Sequence, residues 1–204
     1  MSLLKILTPC ISDGFTSIFN EALKVCEETN ESDKYLLTFQ TFLSRIPKWN
    51  QTIIDNERDR IVERSKCSYI DEMISCVHIV HLKALTCIRT GKKQKHIDID
   101  IPDLAKFIHK VYINTARQLY NSVYLYEIGV PSLDIQRNSV EIDNIIKTSI
   151  LDTINDSIPI ESIIRSYLEK DEEEEEDVLV PNEEPNEEVT PDTVKPDTVK
   201  PDTV

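Results

Sequence analysis

Cys67, Cys76, His78, His81 and Cys87 put three thiols and two imidazoles into one short stretch of this 204-residue chain. Zinc is held by four thiolate or imidazole ligands in a tetrahedron, usually supplied as pairs two to four residues apart. Only His78 and His81 have that local spacing. On a helix they project about 60° apart, with Cys76 turned well away and His81 on the apolar stripe. The set therefore reads as structural thiols with one histidine at the core edge, and no metal ligands are expected from it. A Cys/His nucleophile would also need an orienting carboxylate and oxyanion donors, and nothing close in sequence offers them. Asp98 and Asp100 face the same side only in a strand, which is not the arrangement of a metal or acid–base site. Gly14, Gly91 and Gly129 are the only glycines, too few for phosphate-cradling loops, and no nucleotide-binding or nucleophile-elbow pattern occurs. The chain is read as non-enzymatic, with no catalytic residues and no cofactor.

Two other groups suit binding better than chemistry. Arg89, Lys92, Lys93 and Lys95 form a basic connector able to meet nucleic-acid phosphates or an acidic partner. It lacks the interleaved aromatics of a single-strand binder and belongs to a chain of formal charge −14. Trp49, Tyr112, Tyr120, Tyr124 and Tyr126 are the interface candidates, because aromatic residues with a polar edge are enriched at contact surfaces. Tyr112 and Tyr126 fit the buried side of their helix, whereas Tyr120 and Tyr124 stand one turn apart and are available to a partner.

The elements that carry these residues are helical. Apolar residues recur at three and four over Ile11–Glu28 after Pro9, over Lys34–Ile46 before Pro47, and over Tyr69–Ile88. Gln51–Arg64 has a narrower stripe of Ile53, Ile54, Ile61 and Val62 beside DNERDRIVER, whose charges pair at three and four, Glu57 with Arg60 among them. HIDIDIPD reads as a linker, Asp100 caps the following helix, and Leu104, Phe107, Ile108, Val111, Tyr112, Thr115, Leu119, Val123 and Tyr126 predict one long helix to about Ile128. Gly129–Pro131 end it. Val140–Ile154 and a last helix opened by Pro159 complete the body. The expected fold class is all-α: a single compact domain of five to seven helices over residues 1–170.

Residues 171–204 differ in kind. They hold 14 acidic residues against Lys195 and Lys200, which accounts for −12 of the −14, and leave the body near neutrality. The run from Asp171 to Asp177 and the PDTVK repeats lack the apolar area that offsets ordering entropy, so a disordered acidic tail is expected. Five cysteines of irregular spacing and the absence of a signal-peptide pattern point to reduced thiols, and no apolar run reaches the length of a membrane span.

The segments FQTFLSRIPKWNQTIIDNERDRI (Phe39 to Ile61) and IPDLAKFIHKVYINTARQLYNSVYLYEI (Ile101 to Ile128) resemble a family of small uncharacterised proteins of nucleocytoplasmic large DNA viruses, in the mimivirus and African swine fever virus lineages. Pro47, Trp49, Asn50, Pro102, Phe107, Ile108, Val111, Tyr112, Ala116, Arg117 and Tyr120 match that pattern, while Ser122-Val-Tyr124 departs from it. The resemblance implies a virion or capsid-associated structural protein, made in the host cytoplasm and packaged in the virion, whose partners are other viral structural proteins. It carries over no catalytic residue. The alternative expectation is a nucleic-acid-associated or transcription-related viral factor working through the basic connector 89–96.

Overall fold

A computed structural model describes residues 3–86 and 102–158. All of them lie in one compact unit, Met1–Ile163. The fold is all-α, with six α-helices among the described residues: α1 (Leu3–Glu28), α2 (Tyr35–Arg45), α3 (Gln51–Ser65), α4 (Ile70–Thr86), α5 (Leu104–Asn121) and α6 (Ser132–Asp156). Short 3-10 turns cover Ser32–Lys34, Ile46–Lys48 and Val123–Tyr126. The basic connector Arg89–Lys95, the HIDIDI segment, the helix expected after Pro159 and the acidic tail lie outside the described residues.

Local chemistry sets most of the boundaries. α1 stops where Asn30 takes a left-handed conformation (φ 56°) and the Glu31 N–H returns to the Cys26 carbonyl at 2.9 Å. Asn50 caps α3 by accepting from Ile53 N at 2.9 Å, and Lys66 at φ 50° ends it. Asp103 caps α5 by accepting from Ala105 N, so the cap is three residues later than the Asp100 expected from sequence.

Three boundaries depart from the periodicity. α1 begins at Leu3 and runs through Pro9. The proline removes one backbone donor, but its ring is on the exposed side while Leu3, Ile6, Leu7, Cys10 and Ile11 bury both flanking turns, and that burial outweighs the lost bond. α5 ends at Asn121 instead of continuing to Ile128, because Ser122 leaves helical geometry (φ −125°, ψ 34°) and the chain tightens into a 3-10 turn. α6 begins at Ser132, eight residues before the predicted Val140. Its opening residues up to Glu141 bury nothing, so no three-four stripe announces them.

α1 and α5 each pack against α2, α3 and α6, and one core joins them all. Phe15, Phe19, Phe39, Phe107 and Tyr112 supply its aromatic part, and Ile142, Ile146, Ile150 and Ile154 bring in the second half of α6. α4 leans on α1 and, through His78, on Phe107 of α5. Its inward residues are Ile70, Ile74, His78 and Leu82. That stripe is rotated from the predicted one: His78 is the core histidine, and His81 is half-exposed.

Candidate interaction surfaces and the buried polar node

The most organised polar site is internal and joins three helices. Glu57 and Arg60, one turn apart on α3, meet Tyr112 of α5 and the backbone of α1. Arg60 Nε donates to Glu57 Oε2 at 2.8 Å, and Arg60 Nη2 donates to the Cys10 carbonyl at 2.7 Å and to the Tyr112 hydroxyl at 3.4 Å. The Tyr112 hydroxyl itself donates to Glu57 Oε1. The Tyr112 ring stacks on Phe15 with centroids 5.0 Å apart and leans on Trp49 at 5.3 Å. Gly14 makes this close approach possible, since a Cβ there would overlap the Tyr112 hydroxyl.

Burial, then the neighbouring Glu57 carboxylate, holds the Tyr112 phenol well above the ordinary tyrosine range. The Glu57 hydrogen bond raises Arg60 against the opposing effect of burial, so the guanidinium stays charged. Burial likewise pushes the Cys10 thiol up, with Arg60 pulling the other way, which keeps it a thiol and a poor nucleophile. Both Glu57 oxygens are engaged, and the phenol is locked as a donor. The arrangement fixes α1, α3 and α5 relative to one another.

Tyr112 is thus an interior residue with no accessible surface, and it has nothing to present to a partner. Tyr126 is half-buried against Phe19 and Phe39, its hydroxyl buried without a hydrogen-bond partner. Burial first, and Asp143 second, raise its pKa. Tyr120 and Tyr124 do reach solvent, at 45% and 58% exposure. Tyr120 is on the outer face of α5, and for Tyr124 the 3-10 turn decides the matter, pointing Leu125 inward and Tyr124 out. Ile128, Leu133, Ile135 and Val140 follow as further exposed apolar residues. The sequence reading passed over these four, and the signal for them is apolar residues in a stretch without a buried stripe.

Trp49 is half-buried at the end of a groove between α1 and α2. The groove has a volume of about 350 Å³ and is lined by Ser17, Ile18, Glu21, Phe42, Arg45 and Ile46 with Trp49. The indole stacks on His109, with centroids 6.0 Å apart and planes 11° from parallel. His109 Nε2 donates in turn to the Ile46 carbonyl at 3.0 Å, which fixes that wall.

The cysteines and histidines do not converge. Cys67 is buried, Cys76 is exposed and Cys87 lies outside the described residues. His78 is 2% exposed, its Nδ1 bonded to the Ile74 carbonyl at 2.8 Å and its Nε2 without a partner. Among the described residues no group of three or more His, Cys, Asp or Glu side chains is placed to hold a metal. No described helix is long and apolar enough to cross a membrane.

Fold and site together define a helical-bundle protein with a tightly tied interior and apolar features on its outside. A model of the family of unknown function DUF5764 matches residues 1–127, more than half of the chain, and the chain belongs to that family. No curated protein and no solved structure matches it. The matched segment includes Trp49, the polar node and Tyr120–Tyr126, and it ends before α6.

Proposed function

We propose that this chain is a non-enzymatic assembly protein that acts by protein–protein contact through the stretch from the end of α5 to the first half of α6. The observation that carries this reading is the exposure of six large apolar residues, Tyr120, Tyr124, Ile128, Leu133, Ile135 and Val140, along one continuous piece of chain. Leu133 and Val140, seven residues apart on α6, lie on one helical face with Gln136 and Arg137 between them. Ile135 points to the other side of α6 from Leu133 and Val140, so the stretch presents exposed apolar residues on more than one face. Contiguous exposed apolar surface marks contact sites in folded proteins, and this stretch holds half of the exposed large apolar residues among the described ones. The resemblance to proteins of large DNA viruses extends the reading to virion assembly, with other viral structural proteins as the partners.

The test is a photo-crosslinking amino acid placed at Tyr124 and, as a control, at exposed Glu63 on α3, in infected cells or purified particles. A discrete partner trapped from position 124 and not from 63, and lost when Leu133→Asp is added, is the expected result. Equal trapping from both positions, or none from 124, would sink the reading.

A further inference from the structure

We infer that the Trp49 groove is a second, separate docking site, built for a short peptide whose apolar side chain sits between an acidic and a basic residue. It uses a different surface from the α5–α6 stretch and goes beyond the reading above.

The floor and walls dictate the anchor. Ile46 is fully buried at the base, and Ile18, Phe42 and Trp49 are half-buried around it, so the concavity is apolar yet open. About 350 Å³ is at the small end of ligand sites, enough for one large side chain with its backbone left in solvent. The indole wall is already in place, held by His109 and Tyr112, one turn apart on α5. An anchor entering here therefore requires little ordering of the site, the condition under which a small contact yields measurable affinity.

The rim dictates the flanks. Glu21 comes from α1 and Arg45 from α2, both exposed, and they form no ion pair with each other or with any other described residue. Arg45 is steadied over the Phe42 ring at 5.7 Å from its centroid. A groove with an uncompensated anion on one helix and an uncompensated cation on the other is complementary to a ligand carrying both signs around an apolar centre. A nucleic acid or an anionic surface would meet Glu21 as a repulsive group, which favours a mixed-charge peptide.

Trp49 is the only tryptophan in the chain, so all tryptophan emission arises at the wall of this groove. The experiment selects a random short-peptide library displayed on phage against the full chain, then titrates the recovered peptides while following Trp49 fluorescence. Expected are peptides with an apolar anchor between opposite charges, and a saturable change in Trp49 emission. Glu21→Lys and Arg45→Glu should each weaken binding about tenfold or more, with Arg45→Gln as the milder variant and circular dichroism confirming the fold. The double charge exchange should favour peptides with their own charges exchanged. Recovered peptides without this pattern, no recovered peptide, or binding indifferent to Glu21 and Arg45 would overturn the proposal. Binding lost on Tyr124→Asp with Trp49 emission unmoved would also overturn it, and would leave the α5–α6 reading standing.

Discussion

Tyr112 and Tyr124 are the same residue type twelve positions apart, and the molecule uses them in opposite ways. Tyr112 has no accessible surface and ties α5 to α3 beside the backbone of α1, whereas Tyr124 leaves 58% of its surface in water and makes no hydrogen bond through its hydroxyl among the described residues. The difference comes from the neighbourhood. Tyr112 lies on a regular helix opposite a glycine and an Arg/Glu pair, so its ring and its hydroxyl are both satisfied in the interior. Tyr124 follows the break at Ser122, where the tighter turn gives the inward position to Leu125. An interior tyrosine fixes the bundle. An exterior one is available for contact.

The sharpest way to break this contrast is to fill the space that Tyr112 needs. Gly14→Ala places a methyl group against a hydroxyl held from two sides, and the cost should reach the upper end of the ~1–3 kcal/mol range of overpacked sites; urea unfolding of the purified variant measures it. Glu57→Ala takes the acceptor from the phenol and the partner from Arg60. A loss of about 2–3 kcal/mol is expected, kept at that level because Arg60 is about a third exposed and water screens what is left.

Tyr112→Phe is a milder break, about 1 kcal/mol near neutrality, and it carries a pH signature. The folded state raises the Tyr112 pKa above its unfolded value near 10, as burial does for Tyr126. Above that pH the unfolded chain loses protons that the native protein keeps, so stability holds below about pH 10 and falls as pH rises beyond it. The decline in melting temperature above pH 10 should be shallower in Tyr112→Phe, and an unchanged slope would show that Tyr112 does not control it.

His78→Leu sharpens the contrast from another side. It removes the buried Nε2 that has no partner together with the Nδ1 bond to the Ile74 carbonyl, and keeps an apolar side chain against Phe107, so the two effects offset and stability should change by less than about 1 kcal/mol. Thermal melts would test this, and a loss of several degrees would mean that the imidazole serves the fold. The smallest stability effect is expected at Tyr124→Ser and Val140→Ser, within about 0.5 kcal/mol by the same melts, since both side chains are mostly in solvent.

Much of this architecture was legible from residue spacing. The cores of α2 and α3, the inward face of α5 and the second half of α6 follow three-four apolar repeats that have one energetically sensible side. Spacing failed where the inward face is not the only apolar one. Ile79 and Val80 of α4 are apolar and exposed, so the stripe chosen from sequence is rotated by part of a turn, and the histidine assigned to the core is the wrong one. It failed again in the first half of α6, whose helical form rests on continuity with the packed half and on Pro131 in an extended conformation before Ser132.

The sequence by itself determined an all-α body with the Glu57–Arg60 pair on one turn, and an acidic C-terminal segment that dominates the net charge, because periodicity and charge are local properties of the chain. Only the tertiary structure decided that this pair reaches the edge of the core to hold the Tyr112 hydroxyl, that Gly14 is the residue making room for that hydroxyl, and that Tyr120 and Tyr124 face out while Tyr112 faces in. Those outcomes depend on which helices meet at distances of a few ångströms, and contacts between residues fifty positions apart leave no periodic trace in the chain.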